Sequence, residues 1–118
     1  MSEYILLFRS SEAAQADVIG TPERAQKTLE VWMKWIQTLE AGGHLAQRGK
    51  SLQRTGKVVR ADKTVTDGPY IEVKDLVLGY IVVKAATLDE AVTVAATCPI
   101  VVGGGGSVEV RLVWEGMA

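Results

Sequence analysis

Two stretches of this sequence are apolar on both faces when laid out as β-strands, and that limits the chain more than any other feature. In Tyr4-Ile5-Leu6-Leu7-Phe8, Tyr4, Leu6 and Phe8 point one way and Ile5 and Leu7 the other. In the β-branched run from Val77 to Lys84, Val77, Ile81 and Val83 oppose Leu78, Tyr80 and Val82. A sheet covered by helices on one face alone should alternate apolar and polar residues. One face is therefore expected to carry the chain's own helices and the other a second copy of the chain, since the symmetric dimer is the commonest assembly. The alternative is that segment 48–75 folds back over the open face.

The remaining elements follow from local signals. Thr21 supplies an N-cap oxygen and Pro22 the first helical residue. Ala25, Leu29, Trp32, Ile36 and Leu39 then recur at spacings of four and three, a stripe widened by Val31, Met33 and Trp35. Gly42-Gly43 ends that helix. His44 to Leu52 is a strand or an extended arm. Val58-Val59-Arg60 and Thr64-Val65-Thr66 read as a hairpin around Ala61-Asp62-Lys63. Thr87-Leu88-Asp89-Glu90 is a capping box opening a second helix, with Leu88, Ala91, Val92 and Ala95 inward, ending before Pro99. Gly103 to Gly106 is a loop, and Ser107 to Trp114 the last strand. The order βαββαβ predicts an α+β, ferredoxin-like split-βαβ fold, an antiparallel sheet with both helices on one face. No linker divides the 118 residues, so one domain over 1–118 is expected.

Composition narrows the function classes. The 13 basic and 14 acidic side chains nearly cancel and are scattered, so the basic stripe of a nucleic-acid binder is missing. No run approaches the roughly 18 apolar residues of a membrane span, and the apolar start ends at Phe8, short of a signal peptide. Cys98 is the lone cysteine, so no intrachain disulfide or cysteine metal cluster forms, and a reducing, cytoplasmic setting is expected. Its apolar surroundings predict a buried small hydrophobe. The glycines at 103–106 lack both the phosphate-loop and the dinucleotide fingerprints, so no cofactor is expected.

Two residues could carry acid–base chemistry. Asp67, on the sharp Asp67-Gly68-Pro69-Tyr70 turn, is a carboxylate on a rigid support, suited to act as a base or to orient an imidazole. It is equally suited to bond its own turn's amides. His44 is the sole imidazole, so histidine-dependent chemistry runs through it or not at all, and a multi-histidine metal site within one chain is impossible.

The segment Val65-Thr66-Asp67-Gly68-Pro69-Tyr70, followed by Glu72, Lys74 and Leu78-Gly79-Tyr80, resembles the signature of the DGPF branch of the YCII-related proteins. The likeness continues in Leu88-Asp89-Glu90-Ala91, Cys98-Pro99 and Ser107-Val108-Glu109-Val110-Arg111, in the opening Tyr4 to Phe8, and in Leu39-Glu40-Ala41-Gly42-Gly43. Tyr70 stands where phenylalanine is usual. The resemblance implies a ferredoxin-like fold and a dimer in which two sheets pack as an α+β barrel. It implies little about activity: a histidine–aspartate pair has been proposed as an active site in relatives, and some members are associated with sigma-factor-type regulators. The motif places the aspartate on Asp67 and does not assign the histidine to His44.

Two functions from different classes follow. One is a homodimeric small-molecule-binding protein or cofactor-independent acid–base enzyme, with Asp67 and His44 as catalytic candidates and Tyr70, Glu72 and Arg9 as binding candidates. The other is a non-catalytic dimeric structural or regulatory module whose turn only shapes the fold.

Overall fold

Strand β1 (Ser2–Ser10) is central. It pairs antiparallel with β5 (Leu76–Ala85) on one side and β6 (Ser107–Leu112) on the other, setting Leu6 opposite both Ile81 and Val110. Strand β2 (Leu45–Ser51) lies outside β5, so the sheet runs β2-β5-β1-β6. This is a computed structural model, and it describes residues 1–11, 14, 20–53, 55–68 and 76–117.

Helix α1 (Pro22–Ala41) starts where Thr21 Oγ1 accepts the Arg24 amide at 3.1 Å. It stops at Gly43, whose φ of +77° lets the His44 amide reach back to the Leu39 carbonyl at 2.9 Å. That left-handed step, cheap only for glycine, turns the chain directly into β2. Helix α2 (Leu88–Ala95) is capped by Thr87 Oγ1, which accepts the Glu90 amide at 3.1 Å. Glu90 returns its carboxylate to the Ala86 amide at 3.4 Å, one residue before the cap. A short helix α3 (Pro99–Val102), absent from the sequence expectation, follows at once. Strands β3 (Gly56–Val59) and β4 (Val65–Gly68) form a two-stranded sheet of their own. Asp62 holds its turn by accepting the Thr64 amide at 3.0 Å and hydroxyl at 2.7 Å, which keeps its carboxyl below the ordinary range.

The core lies between one face of the four-stranded sheet and the helices. Tyr4, Leu6, Phe8, Ile81 and Val83 meet Trp35 and Leu39 of α1, Ala91, Val94 and Ala95 of α2, and Cys98 and Ile100. Phe8 takes Trp32 edge-on at a centroid distance of 4.8 Å and Trp35 at 6.1 Å, with the two indoles 5.7 Å apart. Each such pair adds about 0.5–1.5 kcal/mol beyond its buried area. The Trp35 indole N–H donates to Thr97 Oγ1 at 2.8 Å, and that hydroxyl donates to the Val94 carbonyl at 2.7 Å, so α1 is pinned to the end of α2.

Several expectations need correction. The α+β class and the antiparallel sheet are present, but the ferredoxin-like domain closed into a dimeric α+β barrel is not. The sheet is open, because β2 and β6 each pair along one side only, and the structure is of one chain. Leu29 is 55% exposed: the inward face of α1 runs through Ala25, Thr28, Trp32, Trp35, Ile36 and Leu39, so the predicted stripe holds except that Thr28 replaces Leu29. The indoles decide this, since swinging them both under the helix buries more area than Leu29 offers. Leu88 and Val92 are likewise exposed, because α2 turns Ala91, Val94 and Ala95 inward. Finally, the pairing slips between Phe8 and Arg9: Phe8 faces Gly79 but Arg9 faces Val77. Leu78 is the extra residue of this bulge and packs against the core, while Val77 takes the other face.

On that other face Ile5, Leu7, Val77 and Tyr80 are half-buried and Val82 is 6% exposed. The core helices lie on the opposite side.

The helix assignment gives a first expected outcome. Trp35→Ala should cost about 3–5 kcal/mol and Leu29→Ala no more than about 0.5 kcal/mol. Urea midpoints measure both, and equal losses would show that Leu29 belongs to the core.

Candidate functional site

The first turns of α1 place Arg24, Lys27, Thr28, Val31 and Trp32 on one face, at helical spacings of three and four. The strand bulge lifts Leu78 to meet that face, and α3 brings Pro99 and Ile100 from the other side. Between them is a cleft of about 490 Å³, lined also by Gly103 and Gly105. This is within the usual range for small-molecule sites. Its walls are apolar apart from Thr28 and, at the exposed rim, Arg24 and Lys27.

The glycine loop offers this cleft little hydrogen bonding. The amides of Gly103, Gly104 and Gly105 donate to the carbonyls of Pro99, Val101 and Ile100 at 2.9, 3.0 and 3.1 Å, and that of Gly106 to Ile100 at 3.2 Å. The Ser10 hydroxyl donates to the Gly105 carbonyl, tying the loop to the end of β1. A phosphate cradle needs free amides converging on one point, and these are committed to their own turn.

The residues singled out in the sequence lie elsewhere. Asp67, on β4, has a side chain 93% exposed and pairs with Lys57 Nζ at 3.0 Å, directly across the hairpin. His44, between α1 and β2, has Nδ1 3.3 Å from the Lys84 carbonyl and 3.9 Å from Glu90 Oε1. Arg9 points to the open face of the sheet and pairs with Glu109 at 3.3 Å, which also meets Arg111 at 3.8 Å. Tyr70 and Glu72 lie outside the described residues. Asp67, His44 and Arg9 thus have three different partners, and none of them touches another among the described contacts. Two polar atoms beside these candidates, Arg9 Nε and Thr66 Oγ1, are buried without a hydrogen-bond partner.

The cleft itself is missing from the sequence-based reading. Its signal was available in the run Arg24, Lys27, Thr28, Val31 and Trp32, basic at one end and apolar at the other along one helix face. The bulge that brings Leu78 up to it leaves no mark in the sequence.

Among the described residues there is no group of three or more His, Cys, Asp or Glu that could hold a metal ion. No described helix is long and apolar enough to cross a membrane. The model of one protein family, the YCII-related domain, matches residues 2–116. No curated protein matches the chain.

Cys98, fully buried, is no nucleophile: burial pushes its thiol up to about 11. Because the folded value lies above the unfolded one, near 8.5, the thiol's contribution is intact below that pH and lost as pH rises toward 11. The wild type should lose about 3 kcal/mol more than Cys98→Ala across this interval. Urea titrations at stepped pH check this, and parallel profiles for the two proteins would refute it.

Proposed function

The chain belongs to the YCII-related family, and we propose that it is a small-molecule-binding protein that works as a pair of identical subunits. The observation that carries the binding reading is the apolar cleft with its basic rim. A filled interior would have favoured a purely structural module. Pairing is supported by the second apolar face, where Ile5, Leu7, Val77 and Tyr80 remain half-buried beside the unpartnered Arg9 Nε. Burying each such side chain fully is worth up to roughly 1.5–3 kcal/mol. We assign the chain to the DGPF branch on its Asp67-Gly68-Pro69-Tyr70 motif, as one domain over 1–118. A cytoplasmic setting is supported by the buried, unpaired Cys98 thiol.

Native mass spectrometry of the purified protein tests both halves. The expected result is twice the 12.7 kDa chain mass, with a co-purifying small molecule. A bare monomer at micromolar concentration would refute the pairing, and Leu7→Arg should produce one by placing a charge in the contact face.

An acid–base enzyme using Asp67 and His44, with Tyr70, Glu72 and Arg9 holding the substrate, is the second reading. What favours it is that Thr66 Oγ1 and Arg9 Nε, buried without partners, sit next to or within the residues it invokes. A ligand or second subunit would satisfy them. Asp67→Asn keeps an acceptor on the turn but removes the charge. If Asp67 acts as the base, this variant stays folded and loses activity or ligand affinity by roughly tenfold or more, since 1.4 kcal/mol is tenfold. Wild-type affinity in titration calorimetry would confine Asp67 to its ion pair with Lys57.

A further inference from the structure

The geometry points to a class of ligand for the cleft: we infer that it takes a small amphiphilic anion, a carboxylate on an aliphatic or aromatic body. This inference rests on the small-molecule reading above. Val31, Trp32, Leu78, Pro99 and Ile100 supply apolar walls, Thr28 adds a single hydroxyl, and the glycine-loop amides are already bonded to their own turn. A polyol or a peptide backbone would leave its polar groups unpaired against such walls, at about 1–3 kcal/mol each. An apolar body loses nothing there and gains by leaving water.

The charge at the rim sets the other end. Lys27 stands on the same helix face as Val31, one turn away, with Arg24 a turn further toward the start of α1. No carboxylate lines the cleft among the described residues. Glu23 and Glu30, four residues before and three after Lys27, are its neighbours on the helix, yet neither forms an ion pair with it among the described contacts. Glu30 accepts instead from Gln26 Nε2, at 3.4 Å. An ammonium at the mouth of a low-dielectric cleft favours an anionic head and disfavours a cationic one. The head is held in water-accessible surroundings, so one charge suffices and no desolvated ion pair is required.

Titration calorimetry of the intact protein with octanoate, 1-octanol and octylammonium tests the inference. Octanoate should bind about threefold to fivefold more tightly than 1-octanol, and octylammonium more weakly than either. Lys27→Glu, a change on an exposed residue, should abolish that preference and leave 1-octanol unchanged. If all three probes bind alike, the anion preference is wrong while the small-molecule reading stands. If octanoate leads but Lys27→Glu changes nothing, the charge that selects it is not at this cleft. If none of the three binds and the Trp32 fluorescence is undisturbed, both the ligand class and the cleft as a binding site are overturned.

Discussion

The contact on which the rest of this structure depends is the edge-to-face cluster of Phe8 with Trp32 and Trp35. It joins the central strand to the longest helix through three large rings, and the Trp35 hydrogen bond to Thr97 extends the joint to the end of α2. A polar handle on a buried indole must find a partner, and here the partner is itself bonded to the helix that it terminates. The orientation of α1 is therefore fixed by geometry as well as by area. Leu29 and Met33 are left outside because the indoles take the inward arc.

The same cluster sets one wall of the cleft. Trp32 is held by Phe8 with its remaining surface toward Leu78 and Ile100, so the cavity is bounded by a residue that has little freedom to collapse into it. On the far side of the sheet the situation is different. Ile5, Leu7 and Tyr80 are apolar and half-covered, while Arg9, Glu109 and Arg111 form a charged row beside them. One surface of β1 is thus a finished core and the other an apolar face left half-covered.

Much of this was legible in the residues. The strands at 4–8 and 77–84, the capped helix after Thr21, the glycine stop and the hairpin around Asp62 all follow from local chemistry. The two apolar faces were also readable. What failed were choices between nearly equal alternatives: Leu29 and Thr28 each continue a legitimate helical stripe with Ala25 and Trp32, and only the partner surface selects one. The short helix after Cys98 is one turn long and carries no periodicity. For the site, Asp67 and His44 were attractive as residue types, yet chemistry depends on convergence, and here the carboxylate meets Lys57 while the imidazole meets Glu90. A cleft assembled from a helix face, a bulged strand and a one-turn helix has no contiguous signature to find.

The bulge at Leu78 has an evolutionary meaning. Strand side chains alternate, so regular pairing would put Leu78 on the face of Tyr80 and Val82; the one additional residue reverses this and turns Leu78 to the core and Val77 to the other layer. Losing that single codon would restore regular pairing between β1 and β5 without disturbing the residues on either side of the slip. The core and the second apolar face would remain, and only the part of the cleft lining that Leu78 supplies would be lost. The shape of this cleft can therefore change by insertion or deletion, separately from the substitutions that tune stability.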